Sequence, residues 1–195
     1  MKIKTLINGK LNNNTYILCN ENDECILIDA AAELEDIIPR VENLKVLGVI
    51  LTHGHYDHFV NLEKIVKHFD IPCYITEQEY EKLQNPKANY SIVFNTIKTC
   101  KLAKEHFIFL NQPEDEFKIG EFEVKTFLTK GHTDGSICIE VNKELFTGDT
   151  KFLWSCGRTD LITGSEEDMA ESLKLLEKKY RGRTFYPGHG KTGVI

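Results

Sequence analysis

The chain has 195 residues, of which 41% are hydrophobic and 28% are charged, and its formal net charge is −6. This composition is typical of a soluble globular protein, and we expect residues 1–195 to form a single domain. The acidic balance argues against nucleic acid as the main partner, because phosphate binding requires a basic surface. No run approaches the ~20 apolar residues of a membrane-spanning helix, so no membrane partner is expected.

The cysteines and the amino-terminal segment indicate a compartment. The six cysteines are scattered without a CxxC pair. Cys25 and Cys138 lie in apolar runs, where a free thiol behaves as a small hydrophobe. Polar Asn12 and Asn13 prevent a continuous apolar stretch near the start of the chain, so the pattern does not predict a secretory signal. We expect a cytoplasmic protein with reduced thiols.

Apolar runs rich in β-branched residues alternate along the chain with stretches of helical periodicity. Strands are predicted at 3–7, 15–19, 25–29, 46–52, 72–75, 107–109, 121–128, 136–141, 144–147 and 184–186. Helices are predicted at 33–44, 58–69, 77–84 and 166–180. Ser165 and the acids after it are typical of the start of a helix. Residues 85–106 have no clear period and predict a helical excursion or lid. A meander followed by a βαβ pattern predicts a layered α/β architecture.

The sequence HGHYDH directly follows the predicted strand VLGVILT. Open α/β sheets place their functional sites at the carboxyl ends of strands. A turn here, eased by Gly54, can direct four side chains to one point, whereas a strand would alternate them between two faces. These side chains are those of His53, His55, Asp57 and His58. The pattern predicts part of a metal site.

Three loops in the second half share one form, a strand followed by a glycine turn that carries one histidine or aspartate. They are TKGHTDGS with His132, FTGDT with Asp149, and YPGHG with His189. Glycine lets the backbone approach a ligand without a clash from a Cβ atom. His68 and His106 lie in helical or polar contexts instead, and we expect both at the surface.

Together these loops offer five imidazoles and two carboxylates, more than the four ligands of one tetrahedral zinc site. Such a set suits two divalent ions about 3.5–4 Å apart, as in two-metal hydrolases. We expect zinc, with iron and manganese as alternatives, because mixed nitrogen and oxygen ligands accept all three metals. A pair of this kind lowers the pKa of bound water and polarises a carbonyl or phosphoryl oxygen, so the pattern predicts hydrolysis.

The same residues resemble the metallo-β-lactamase fold superfamily over essentially the whole chain. THGHYDH matches its HxHxDH signature, and GHTDGS, TGD and YPGHG match its later ligand loops in order. The resemblance implies an α/β fold, a four-layer αββα sandwich of two mixed β-sheets flanked by helices, with the metals at one edge. It implies one ion held by His53, His55 and His132, and a second held by Asp57, His58 and His189, with Asp149 bridging.

The resemblance also implies roles beyond the ligand set. Asp57 would act in catalysis together with a metal-bridging hydroxide. Asp29, in CILIDAAAE, falls where the family often has a carboxylate that orients a ligand histidine.

Within the superfamily the chain is similar to the glyoxalase II-like hydrolases, especially their short single-domain form. CGRTD, NYS and PGHG carry this similarity. Glyoxalase II enzymes hydrolyse the thioester of hydroxyacylglutathione, so a small-molecule thioester is the implied substrate. Arg158 either binds a substrate carboxylate or pairs with Asp160. Asp134 stands where the family commonly has proline, a departure that leaves every implied ligand in place.

Other activities fit the pattern less well. A persulfide dioxygenase, with a single iron, keeps a GRTD-like loop, but its last histidine lies in an HDY context, and PGHG favours a dinuclear hydrolase. A β-lactamase is disfavoured by the expected cytoplasmic location. The net charge disfavours a phosphodiesterase that acts on nucleic acid. A redox sensor would require a further domain or a redox cofactor. The pattern predicts no particular oligomeric state.

Overall fold

The first sheet joins six strands in chain order. Its strands are β1 (Lys2–Asn8), β2 (Asn13–Cys19), β3 (Glu24–Ile28), β4 (Lys45–Ile50), β5 (Cys73–Ile75) and β6 (Phe107–Phe109). This computed structural model describes residues 1–9, 11–110 and 112–195. Strands β1 to β3 pair antiparallel, and β3 to β6 pair parallel. Because parallel neighbours end at the same edge, the loops after β3 and β4 lie side by side.

The second sheet is built from the carboxyl-terminal half. Its strands are β7 (Glu114–Ile119), β8 (Phe122–Leu128), β9 (Ile137–Val141), β10 (Glu144–Gly148), β11 (Thr184–Pro187) and β12 (Gly193–Val194). The strand order is β12-β11-β10-β9-β8-β7. Only β10 and β11 are parallel neighbours among these pairs. The loops that follow these two strands therefore emerge at one edge.

Helices cover the outer face of each sheet. They are α1 (Leu34–Val41), α2 (Tyr56–Phe59), α3 (Leu62–Phe69), α4 (Glu77–Leu83) and α5 (Glu166–Tyr180). Helix α5 begins as predicted, because the Ser165 hydroxyl accepts a hydrogen bond from the backbone N–H of Asp168 at 3.1 Å. Its residues Leu176 and Tyr180 pack on the outer face of the second sheet, while α1, α3 and α4 pack on the first.

Side-chain alternation along the strands produces two separate apolar layers in the first sheet. In β2, Tyr16 and Leu18 face the second sheet, whereas Ile17 packs toward the helices. Phe122 and Phe146 fill the space between the sheets and are fully buried. Each such burial contributes about 1.5–3 kcal/mol to stability. The predicted four-layer αββα sandwich of two mixed sheets is confirmed.

The helix predicted at 58–69 is wrong as a single element, because it divides into α2 and α3. The His58 carbonyl accepts a hydrogen bond from the backbone N–H of Ala30 at 2.7 Å, and the Asn61 backbone N–H donates to the Ala30 carbonyl at 3.0 Å. The loop after β3 thus takes the backbone groups that a continuous helix would have paired internally. This break places His58 beside that loop.

Two strands and one segment also differ from the sequence prediction. Strands β7 and β12 were not predicted. The sequence of β7, EDEFKI, is half exposed and highly charged, and β12 has only two residues. Residues 85–106 contain two short 3₁₀ turns, Ser91–Phe94 and Lys104–His106, rather than a longer helix. Within the described ranges, no helix combines the length and apolar character needed to cross a membrane.

Candidate metal centre

The predicted ligand side chains converge at the edge where the two sheets meet. His53 and His55 follow β4, while Asp149 and His189 follow β10 and β11. Three overlapping sets have ligand atoms within 4.8 Å of one another. They are His53 with His55 and His132, His53 with His58 and Asp149, and Asp57 with His58 and His189. We refer to the first set as the first ligand group and to the last as the second ligand group.

The first ligand group is buried. His53, His55 and His132 are 1%, 4% and 4% exposed. The His55 Nδ1 atom lies 2.8 Å from the His132 Nε2 atom. The His53 ring lies 4.9 Å from the His132 ring, measured between centroids. Three imidazoles that face one another so closely need a shared cation or proton to offset the repulsion of their lone pairs.

The second ligand group is more open. The side chains of Asp57 and His189 are 18% and 20% exposed, while His58 is fully buried. The His58 Nε2 atom lies 3.2 Å from the His189 Nε2 atom, which in turn lies 3.5 Å from the Asp57 Oδ2 atom. Solvent and small molecules therefore reach this group more easily than the first.

Asp149 lies between the two groups. Its Oδ1 atom is 3.4 Å from the His58 Nε2 atom, and its Oδ2 atom is 3.5 Å from the His132 Nε2 atom. Gly188 packs against this carboxylate so closely that an added Cβ atom would lie 2.3 Å from Oδ1. Only a glycine leaves Asp149 in this position, from which one carboxylate can reach both groups.

Most of the histidines have one ring nitrogen fixed by an oxygen atom outside the cluster. The Nδ1 atoms of His58, His132 and His189 lie 2.8, 2.8 and 3.0 Å from the Asp29 Oδ2 atom and from the carbonyls of Arg158 and Leu11, respectively. A nitrogen that donates to such an acceptor leaves the Nε2 lone pair pointing into the cluster. This pattern of outer partners is typical of histidines that bind metal.

Asp29 is the most strongly connected of these outer partners. It follows β3 directly, and its φ of 59° is a left-handed conformation that few residues other than glycine, asparagine and aspartate adopt. Besides His58, its carboxylate accepts hydrogen bonds from the Thr52 backbone N–H and hydroxyl at 2.8 and 2.9 Å. The Thr52 hydroxyl in turn lies 3.1 Å from the His53 Nδ1 atom. Asp29 thus orients His58 directly and His53 through Thr52.

Burial and neighbouring charges shift the ionisable groups in opposite directions. Burial lowers the pKa of His53 and His55 well below the usual value, and the surrounding imidazoles lower it further. Burial also disfavours the charged form of His58, but Asp149 and Asp29 outweigh it and raise its pKa well above the usual value. The pKa of Asp149 is held well below its usual range, because His58 and His189 outweigh the effect of burial.

Unpaired buried atoms at the centre of the cluster indicate that the residues fit a cation. The His53 Nε2 and Asp149 Oδ1 atoms are buried without a hydrogen-bond partner. Leaving such atoms unpaired costs about 1–3 kcal/mol each. Imidazole nitrogens and carboxylate oxygens are the ligands that zinc, iron and manganese share. The histidine and aspartate cluster is therefore compatible with a dinuclear metal site.

Sequence reasoning missed a contact at the amino terminus of β2. The side-chain amide of Asn13 donates to the Asp57 Oδ2 atom at 2.9 Å, and Asn13 also forms a bridge with His189. Asn14 donates from its side chain to the Pro187 carbonyl at 2.9 Å. The run of three asparagines at the start of this strand was the available signal, since buried amides at a strand end require specific partners.

A cavity of about 400 Å³ opens over both ligand groups, since His55 and His132 line it together with Asp57 and His189. Its apolar wall includes Leu11, Val93, Phe94, Phe152 and Leu161. Arg158 lies at its rim, where the guanidinium donates from Nε and Nη2 to the Asp160 carboxylate at 2.7 and 2.8 Å. This pair is one of the two interactions that the sequence left open for Arg158.

Two mixed sheets packed face to face, with histidines and aspartates gathered at their common edge, define an αββα class of metal-binding protein. The family model of the metallo-beta-lactamase superfamily matches residues 8–189. The chain belongs to this superfamily.

Known relatives extend the match along the chain. A probable metallo-hydrolase of Streptococcus pyogenes serotype M6 is 32% identical, and the alignment covers 100% of this chain and 86% of that protein. The hydroxyacylglutathione hydrolase of Buchnera aphidicola is 30% identical over 90% of this chain, but only 61% of that enzyme is covered. The crystal structure of the BLEG-1 B3 metallo-beta-lactamase is 31% identical, with a TM-score of 0.88 and coverage of 99% of this chain and 94% of that one.

Proposed function

We propose that this protein is a dinuclear metal-dependent hydrolase that cleaves a small-molecule thioester, with hydroxyacylglutathione as the first candidate substrate. One observation carries the proposal. Asp149 lies within 3.5 Å of histidines from both ligand groups, and residues of both groups line one cavity. A bridging carboxylate beside an accessible ligand group is the arrangement that a two-metal hydrolase needs.

The ligands proposed for the first ion are His53, His55 and His132, and those for the second are Asp57, His58 and His189, with Asp149 shared. Two such ions, when bound, would polarise the scissile carbonyl and lower the pKa of water toward neutrality. The chain itself supplies orientation. Asp29 holds His58 through the Oδ2 to Nδ1 contact of 2.8 Å, which keeps the Nε2 atom free for a ligand bond.

Asp57 is the proposed catalytic residue. Asn13 fixes its Oδ2 atom with a hydrogen bond of 2.9 Å, and the 18% exposed side chain lines the cavity. From this position the carboxylate can hold the attacking water and accept a proton during attack, a role worth about 10²–10⁴-fold in rate. The leaving thiol has a pKa near 8.5, so it needs less acid assistance than an amine leaving group.

The assignment of a thioester rests on the likeness to the Buchnera hydroxyacylglutathione hydrolase and on the shape of the cavity. The apolar wall formed by Phe94, Phe152 and Leu161 can receive an acyl or thiol chain. Arg158 at the rim is the proposed partner of a substrate carboxylate. Binding it there requires the guanidinium to exchange Asp160 for the substrate.

A second candidate is hydrolysis of a β-lactam. The observation that favours it is the 31% identity to the BLEG-1 B3 metallo-beta-lactamase over nearly the full length of both chains. A lactam carbonyl would be attacked at the same centre, so the two candidates differ in the leaving group and not in the proposed ligands.

Turnover by purified, metal-defined protein tests these candidates. Lactoylglutathione, a cephalosporin and a phosphodiester are supplied in parallel, and oxygen consumption is followed with glutathione persulfide. We expect thioester hydrolysis with about two metal ions per chain. A firm stoichiometry of one ion, together with oxygen consumption and no hydrolysis, would overturn the proposal in favour of a mononuclear dioxygenase.

A further inference from the structure

A buried carboxylate outside the proposed ligands contacts two of the histidine loops. Glu79 lies on α4 and is 1% exposed. Its Oε2 atom accepts a hydrogen bond from the backbone N–H of Gly54 at 2.6 Å. Its Oε1 atom accepts from the Thr133 hydroxyl at 2.7 Å and from the Gly135 backbone N–H at 3.0 Å. One side chain therefore joins the loop after β4 to the loop after β8.

The two loops that Glu79 joins carry the whole first ligand group. Gly54 lies between His53 and His55, and Thr133 immediately follows His132. These loops come from different sheets, and they face each other through the 2.8 Å contact between His55 and His132. The distance between them therefore depends on what spans the gap behind the imidazoles, where Glu79 lies.

Both loops have glycine where they meet Glu79. A Cβ atom on Gly54 would lie 2.7 Å from the Glu79 carbonyl oxygen and 3.1 Å from Oε2. A Cβ atom on Gly135 would lie 2.7 Å from Oε1. Real Cβ atoms are not found below 3.0 Å from such neighbours. The glycines thus bring each backbone close enough to donate a short hydrogen bond to the carboxylate.

The charge of Glu79 is balanced inside the protein. The Lys82 ammonium, 5% exposed, lies 3.0 Å from the Oε1 atom and also pairs with the Asp134 carboxylate. A buried carboxylate with three uncharged donors and one cation is fully satisfied, which makes it rigid. Asp134 belongs to the same loop as Thr133, so this pairing adds a second link between α4 and the loop.

We propose that Glu79 is a positioning residue that sets the metal affinity of the first ligand group. It spaces His53 and His55 against His132 before the ion arrives. It makes no contact with Asp57 or His189 in the contacts described, so its influence falls on one ion of the pair. Partners that orient ligands typically change metal affinity by about 10–100-fold.

The test uses two proteins that each keep one ligand group. His189→Ala leaves the first group as the complete one, and His132→Ala leaves the second. Zn²⁺ affinity is measured by competition with a chromophoric chelator. We expect Glu79→Gln to weaken Zn²⁺ binding about 10-fold or more in the His189→Ala protein. In the His132→Ala protein we expect a change within about two-fold, because none of the hydrogen bonds described for Glu79 involves Asp57, His58 or His189.

Glutamine keeps the size of Glu79 but cannot accept from donors on both of its terminal atoms, since one of them becomes an NH₂ group. Glu81→Gln, on an exposed position of the same helix, is the matched control and should leave both affinities unchanged. Circular dichroism and thermal unfolding of the metal-free proteins report whether folding is affected. Equal weakening in both backgrounds, or none in either, overturns the proposal.

Adding Lys82→Met separates spacing from charge balance. If Glu79 only neutralised Lys82, removal of both charges would restore Zn²⁺ affinity in the His189→Ala protein, and that recovery would contradict the proposal. We expect no recovery, because the three uncharged donors still lack their acceptor. Thr133→Val removes one of these donors while keeping both charges. Thr133→Val should also weaken Zn²⁺ binding by the first ligand group. If the Glu79→Gln protein does not fold, Thr133→Val serves as the test of the proposal.

Discussion

The two ligand groups differ in how the protein holds them. The first lies in a buried pocket, where the loops are joined behind the imidazoles by Glu79. The second is more exposed to the cavity that both groups line, and separate residues hold its members, with Asp29 on His58 and Asn13 on Asp57. One side chain, that of Glu79, thus joins the backbones of the first group, whereas several separate residues fix the second.

This difference suggests a division of roles. A buried group spaced by its backbone can hold an ion that stays in place throughout the reaction. An open group with single outer contacts lets the substrate and water approach, since Asp57 and His189 keep about a fifth of their surface exposed. Substitutions in the open group should therefore reduce turnover more than substitutions in the buried group.

The largest effect is expected for Asp57→Ala. This change removes both a proposed ligand and the proposed proton acceptor, so hydrolysis should fall by about 10²–10⁴-fold or more. The measurement is kcat/KM for lactoylglutathione, with metal content determined in parallel. Asp36→Ala, on the exposed face of α1, is the control and should keep its activity. Full activity of the Asp57 variant would contradict the mechanism while leaving the fold assignment intact.

A smaller effect is expected for Asp29→Asn. Asparagine tolerates the left-handed backbone at this position, so the change removes the negative charge without forcing a new φ. The amide keeps only one acceptor oxygen for His58 and Thr52, which contact both carboxylate oxygens in the native protein, so metal affinity of the second ligand group should fall about 10–100-fold. The measurement is chelator competition in the His132→Ala protein.

Asp70→Asn is a matched control for this change. Asp70 also has a left-handed backbone, with a φ of 52°, but it caps the end of α3 at the surface, and no hydrogen bond described joins it to a proposed ligand. Both substitutions remove one carboxylate from a residue with a positive φ. Only Asp29→Asn should weaken metal binding. Equal losses in the two variants would assign the effect to backbone conformation instead.

The loops that carry the proposed ligands could be identified from the sequence because each is a local pattern. His53, His132 and His189 can each be recognised without knowledge of the fold, because an apolar strand, a glycine and the histidine lie within a few residues. Glu79 could not be found in this way. Its partners lie 25 and 54 residues away at Gly54 and Thr133, and on α4 it looks like any acid of a polar helix.

The layered fold could also be predicted, because apolar runs typical of buried strands alternate along the chain with stretches of helical periodicity. The break between α2 and α3 could not, since helical periodicity continues through it. It arises from hydrogen bonds of His58 and Asn61 to Ala30, which is distant in sequence. Strand β7 was missed for a related reason, because an edge strand that is half exposed carries charges typical of a loop.

The next effect is a difference in pH dependence between the two groups. In the metal-free protein the carboxylates of Asp149 and Asp29 raise the pKa of His58, whereas burial lowers the pKa of His53. A metal must displace a proton from a histidine whose pKa is raised. As the pH falls below that raised pKa, the affinity of the second group should decrease by up to about tenfold per unit for each proton displaced.

The first group should respond less over the same range, because burial lowers the pKa of His53 and His55 and so favours the neutral imidazoles that bind metal. The measurement compares Zn²⁺ affinity between pH 6 and 8 in the His132→Ala and His189→Ala proteins. Parallel pH profiles would show that the two groups do not differ in the way proposed.

The smallest effect concerns Arg158 at the cavity rim. If this guanidinium binds a substrate carboxylate, it must leave Asp160, to which it is paired through two hydrogen bonds. Arg158→Gln should then raise KM for lactoylglutathione about two- to five-fold, because both partners are exposed and solvent weakens their attraction. Asp160→Asn frees the guanidinium and should lower KM by a similar factor. Changes of KM in opposite directions would indicate that Arg158 binds the substrate. If the pair were purely structural, both variants would change KM in the same direction or leave it unchanged.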